Sequence, residues 1–413
     1  MLWSRKATPT HDKARHAGID LTASRARALS VSGGKARVLV LDETYGELPL
    51  FVALDRRAAE VGSAGYQLCR KMPHAACSNF LPAIGQPREW RNGRHVLTPD
   101  AALELALAKV RGPVAAESEA AVLALPAYLA PVQVTKVVAV ASRVKLPLKG
   151  TAVGALALVA DRAAAVLAGK PAAPEVAAPD WVVPIRPAAA GPGAVAVVDA
   201  DEYAVSAAIV AVDRDRVRLV ALGCWPRLAV KLWKDRLLDA ISDRCVRLCR
   251  RDPRDSAEAE QALFEQLDDA LDRTRDGQRV NFTVRTDHWY QDVVQQPEEF
   301  EAHCSGLART AGESVRELID NAGLALPPCA VWLTHEAGRL PGLARAVHQN
   351  TPEGTAVEVL PPDAVALAAA ALAPRWLAAE LPRAHLDATI PLVQSEAGTQ
   401  ESAKRIAAPR PAR

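Results

Sequence analysis

The chain has 413 residues, half of them hydrophobic, with 50 Lys and Arg against 48 Asp and Glu for a net charge of +2. That length is too great for one ordinary core and suits two domains plus a tail, at roughly 100 to 200 residues per domain. Near-neutral charge without a basic stripe interleaved with aromatics argues against a nucleic-acid partner, and the lack of any run of about 18 apolar residues argues against a membrane partner. The N-terminus lacks the apolar core of a secretory signal. Seven scattered cysteines form no disulfide framework, so a reducing cytoplasm is the expected compartment. Richness in Ala, Arg and Pro with little Lys or Asn fits a GC-rich bacterial genome.

Residues 1–16 read as an N-terminal extension. The stretch AGIDLTASRARALSV, 17–31, then predicts a strand, a turn and a second strand, with Asp20 at the step. Residues 35–42 and 48–55 predict further strands of the same sheet. An irregular region, 61–95, follows. Thr98 predicts the cap of a helix over 101–110, with Pro99 at its first position. A crossover follows: strand 122–128, helix 132–142, strand 144–148 and helix 152–167. The Pro- and Ala-rich stretch 170–193 is the expected hinge.

The second half opens on AVAVVDADEYAVSAAIVAV, 194–212, again a strand–turn–strand, with Asp199 at the step. Three amphipathic helices come next. Trp233, Leu237, Ile241, Cys245 and Leu248 predict one buried stripe. Leu263, Leu267 and Leu271 predict another, in an acidic helix capped by Asp255. Pro297 opens a third helix that Gly323 stops. Strand 330–334, helix 340–349, strand 356–360 and helix 363–373 repeat the earlier crossover, and 395–413 predicts a disordered tail. Two copies of one hairpin-plus-crossover plan predict an α/β fold of two similar lobes, 17–190 and 191–376, with a central cleft and a linker-like segment and tail over 377–413.

The order of elements resembles the nucleotide-binding domain of the 70-kDa heat-shock chaperones, within the actin-like ATPase superfamily with its duplicated ribonuclease H-like fold. The strings that carry the resemblance are GIDL (18–21), VG (61–62), IG (84–85), LPAY (125–128), YAVS (203–206), GRLP (338–341) and AVALAAA (364–370). LDATIPL, 386–392, is similar to the family's interdomain linker, and the chain given ends before a peptide-binding domain. The resemblance implies ATP with Mg²⁺ as ligand. It assigns a vestigial nucleotide site to Asp20, Thr22, Ser24, Asp199 and Arg339, with Asp20 and Asp199 in the metal shell. Pro126 matches the proline that relays nucleotide state.

The departures fall on the chemistry. Phosphate-binding hairpins need glycines, because only a residue without Cβ lets backbone N–H groups approach an oxyanion closely. Here the first hairpin has Thr22 in that place, and the second runs Asp199, Ala200, Asp201, Glu202, Tyr203 with no glycine. Asp201 and Glu202 oppose phosphate there, since like charges roughly 4 Å apart cost about 1 kcal/mol in water and about 4 at an effective dielectric of 20. They read as a solvated turn. The family's lysine falls on Leu81 and its switch arginine on Val134. Two glycine pairs fall on Ala229–Val230 and His335–Glu336, and the adenosine-contacting Glu and Lys on Asp268 and Leu271.

Elsewhere, Cys245 and Cys249 stand one helical turn apart without two further ligands and read as core thiols. Adjacent His303 and Cys304 point to different helix faces and cannot form a nucleophile pair. His335 and Glu336 stand at a strand end, where α/β folds place functional groups. The expectation is a pseudo-ATPase that requires no cofactor and acts as an interaction or regulatory module with a protein partner. Its alternatives are a working chaperone-type ATPase and, more remotely, a small-molecule kinase on the same fold.

Overall fold

The computed structural model describes residues 15–168, 193–286, 288–381 and 385–392. The N-terminal extension up to 14, the hinge stretch apart from Gly193, and the expected tail lie outside them. The architecture is α/β, with several sheets and long helices.

In the first half, β1 (His16–Leu21) is buried at all six residues, as a central strand covered on both faces must be. It returns as β2 (Arg25–Ser32), and β3 (Lys35–Leu39) follows a turn in which Gly33 and Gly34 both take positive φ. The strand expected over 48–55 divides. β4 (Leu48–Pro49) pairs with β2, whereas β5 (Val52–Ala53) leaves to form a small sheet with β6 (Glu60–Val61) and β7 (Ala76–Cys77). α1 (Ser63–Tyr66) and the hairpin β8 (Trp90–Asn92) and β9 (His95–Leu97) complete the region. Thr98 caps α2 (Pro99–Glu117) through a 3.3 Å bond from the Ala101 N–H to its Oγ1, and the helix continues past the expected end at 110.

The crossover comprises β10 (Ala120–Leu125), α3 (Pro131–Arg143), β11 (Leu148–Val153), α4 (Gly154–Asp161) and α5 (Ala163–Leu167). The strand expected at 144–148 lies instead at 148–153, sharing only Leu148 with that range. Lys145 holds positive φ (58°) and Pro147 lacks an N–H, so 144–147 forms the turn out of α3. The single helix expected over 152–167 breaks at Arg162 (φ −101°, ψ 6°).

The second half repeats the plan with β12 (Gly193–Ala200), β13 (Val205–Val212) and β14 (Arg216–Trp225), the last not foreseen. α6 (Val230–Cys249) buries Trp233, Leu237, Ile241 and Cys245, but Leu248 is 57% exposed, because the stripe has rotated off the core by the last turn. Ser256, not Asp255, caps α7 (Ala257–Arg275): its hydroxyl accepts the Ala259 N–H while Asp255 ends the preceding turn. An unforeseen hairpin, β15 (Val280–Arg285) and β16 (Tyr290–Gln295), leads to α8 (Pro297–Asn321). Then come β17 (Ala330–Leu333), α9 (His335–Gly338), α10 (Leu343–Asn350), β18 (Ala356–Val359), α11 (Ala364–Leu377), β19 (His385–Leu386) and β20 (Thr389–Pro391).

The two large sheets share one order, β11-β10-β1-β2-β3 and β18-β17-β12-β13-β14, each with three antiparallel strands and two parallel crossover strands. The halves exchange parts. α11 packs on β1, β2, β10 and β11, while α4 packs on β13 and β14. β19 then adds to the first sheet beside β11, and β20 adds to the second beside β14. One hydrophobic cluster mixes Leu156, Leu158 and Ala163 with Val195, Val197, Val210 and Ile390. The turns after β1 and β12 consequently face each other between the sheets.

Candidate functional site

The resemblance-assigned residues converge, but their partners are other side chains. Thr22 closes its own turn, its Oγ1 accepting the N–H groups of Ser24 and Arg25 at 3.3 Å. Ser24 reaches across, its Oγ accepting the Glu202 N–H at 2.7 Å. Asp199 accepts the Thr334 hydroxyl at 2.6 Å. Asp20 and Asp199 flank a cavity of about 30 Å³ that Pro126 and Thr334 also line. Such a space admits about one water. Burial raises the Asp20 carboxyl to about 6 against the pull of Arg25, and burial together with Asp20 raises Asp199 to about 7.

Arg25 begins β2, 6% exposed, and its guanidinium meets Glu336 of the other half at 2.8 Å, Glu47 at 3.0 Å and Asp20 at 4.0 Å. Glu336, in α9, is gripped on its other oxygen by Arg339 at 3.0 Å. Burial alone would raise the Glu336 carboxyl, but Arg25 and Arg339 outweigh it and hold it well below the usual range. Arg339 continues to Asp268 of α7 at 2.6 Å, and Lys234 of α6 meets the same carboxylate at 3.0 Å. Burial is again outweighed, by Lys234 and Arg339, and Asp268 falls to about 2. Tyr66 of α1 donates to Asp268, so this chain of ions also ends on the first half. His335 Nε2 stands 3.1 Å from Asp272.

Asp201 and Glu202 do not form the expected solvated turn. They are 2% and 7% exposed. The Asp201 carboxylate accepts the N–H groups of Ala23 (3.0 Å), Tyr203 and Ala204 (2.9 Å each) and the hydroxyl of Tyr128 (2.5 Å). Hydrogen bonds replace the repulsion that spacing alone implied. Burial raises both acids, in Glu202 against the pull of Lys234 at 3.9 Å.

Other sequence candidates stay apart from this site. His303 is exposed and Cys304 buried, on different faces as expected. Cys249 donates its S–H to the Cys245 carbonyl, and among the described residues no three His, Cys, Asp or Glu side chains converge on a metal position. Sequence reasoning missed Arg25, Lys234 and Tyr66. Lys234 left a trace, because it interrupts the apolar face formed by Val230, Trp233, Leu237 and Ile241. Arg25 left none, since its two hydrogen-bonded acids, Glu47 and Glu336, are 22 and 311 residues away.

The Ala23 N–H of the first hairpin is taken by Asp201, and the cavity beside Asp20 and Asp199 is about 30 Å³, whereas a larger one of about 370 Å³ lies between Gln67 and Lys71 of the first half and Gln261 and Glu265 of α7. No protein-family model matches the sequence, and no curated protein matches it.

Proposed function

We propose that this chain is a pseudo-ATPase: a chaperone-like, actin-type fold of two lobes whose cleft is closed by its own side chains, serving as an interaction or regulatory module for a protein partner in the cytoplasm. The observation that carries the reading is the Arg25–Glu336 pair, a buried 2.8 Å ion contact between the halves where a ligand would lie. The shared strand order of the two sheets and the exchange of α4 and α11 support the fold assignment. The small cavity beside Asp20 and Asp199 supports the loss of nucleotide binding.

A closed cleft needs no turnover, and its function passes to the outer surface. The test is titration of the folded protein with ATP and with ADP, each with Mg²⁺, followed by calorimetry and thermal unfolding. A ligand at 100 times its dissociation constant stabilises a fold by roughly 2.7 kcal/mol. The expected result is no heat and no shift at millimolar nucleotide. A saturable shift with Mg²⁺-ATP would sink the proposal and restore the ATPase alternative.

A further inference from the structure

We propose that the Asp201 carboxylate is a built-in anion. It fills a small-anion site made by donors of both halves, one whose free ligand would be a carboxylate of formate size, and by filling it ties the halves together.

Two of its four hydrogen bonds are local. Oδ1 takes the N–H groups of Tyr203 and Ala204, as an aspartate opening a turn commonly does. The other two are not. Oδ2 takes the Ala23 N–H and the Tyr128 hydroxyl, from positions 178 and 73 residues away in the first half. A turn-forming aspartate has no need of them. Three of the donors are backbone N–H groups, which cannot reorient to accept, so they require an acceptor at that point. Successive N–H groups of this kind make a concavity for anions.

Neighbouring bonds hold the frame around the carboxylate. Glu202 N–H donates to Ser24 Oγ, and the Asn79 amide donates to the Glu202 carbonyl at 3.3 Å. These two bonds hold the turn from both halves beside Asp201, and the Tyr128 and Tyr203 rings pack on each other at 5.0 Å, so the donors keep neighbours other than Asp201. Truncating Asp201 to alanine removes one carboxylate from a frame still built for it. The vacated space has the size and donor set of a bound formate.

The experiment is thermal unfolding of wild type, Asp201→Ala and Asp201→Ser in sodium formate, against sodium chloride at the same ionic strength. Serine keeps one oxygen for the two local N–H groups while vacating the inter-half position, so it carries the test if the alanine variant does not fold. Loss of a buried, charge-assisted bond set should lower the midpoint by roughly 3 °C. Formate should recover at least half of that loss in the truncated variants, chloride none, and wild type should respond to neither. Asp201→Asn, which retains the turn bonds but fills the space, should lose stability without recovery. Equal responses of wild type and variants to formate, or full stability after truncation, would overturn the proposal. Neither outcome depends on whether the chain binds nucleotide.

Discussion

Arg25 sets the electrostatics of the cleft because it is the buried cation shared by Glu336, Glu47 and Asp20. The acids divide according to how well they are answered. Glu336 and Asp268 are answered by two cations each and titrate low, whereas Asp20 and Asp199 remain dominated by burial, at about 6 and about 7. An unfolded aspartate releases its proton near pH 4. Between that point and the raised native values the folded protein binds more protons than the unfolded chain, so stability from these two acids is full below about pH 4 and is lost as pH rises through 6 and 7. Asp268 and Glu336 act with the opposite sign, adding stability above about pH 4 that disappears as pH falls toward 2. Urea midpoints measured from about pH 5 to about pH 8 should therefore decline in wild type and decline less in Asp199→Asn, by an amount on the order of 3 kcal/mol over the range. A profile for the variant as steep as wild type would show that Asp199 is not the group responsible.

At the scale of elements, α11 is the piece on which the cleft geometry hangs, and its approach to β1 depends on Gly18. A Cβ there would stand 1.8 Å from the Ala366 carbonyl oxygen and 2.6 Å from the Ala370 nitrogen, both backbone atoms that cannot step aside singly. Gly18→Ala should force α11 off the sheet and cost about 3 kcal/mol, the upper range of core overpacking. Denaturant unfolding measures this directly, and a loss below about 0.5 kcal/mol would mean that the helix is not so closely seated. The run AVALAAAALA was legible as a helix, and its small residues are what such an approach requires. Apolar periodicity likewise exposed the hairpins β1–β2 and β12–β13, the strands β10, β17 and β18, and α6 to α8, while it misplaced β11. It failed at β14, where three exposed positions, Arg216, Arg218 and Leu222, break the buried run, at the local hairpin β15–β16, and at the short β19 and β20, which exist only by adding to the distant β11 and β14. Of the residues the resemblance assigns, the sequence carries positions but no partners. Asp20, Thr22, Ser24, Asp199 and Arg339 do converge, but the ion partners that occupy them lie up to 311 residues apart, and pairing at such separation leaves no local pattern.

For the whole molecule, each half has a core of its own, but exchanged helices and a mixed cluster mean that part of each half's apolar surface is covered only by the other. The first half carries α4, whose Leu156 and Leu158 need Val195, Val197 and Val210, and the second carries α11, whose alanines need β1 and β10. The C-terminal segment 385–392 then bridges both sheets. Stability must therefore be a property of the pair, with buried ions such as Arg25 and Glu336 left uncompensated when the pair is broken, at a cost of about 3 to 5 kcal/mol for each such break. A chain divided at residue 180 and expressed as two separate polypeptides should give aggregated or unfolded halves when each is made alone. The two made together should form a soluble one-to-one complex whose unfolding midpoint rises with concentration. Thermal unfolding of the undivided chain should be a single transition, with helix loss and near-ultraviolet dichroism coincident. Two well-separated transitions, or a first half that is folded and monomeric alone, would mean that the exchanged helices are decoration on two independent cores.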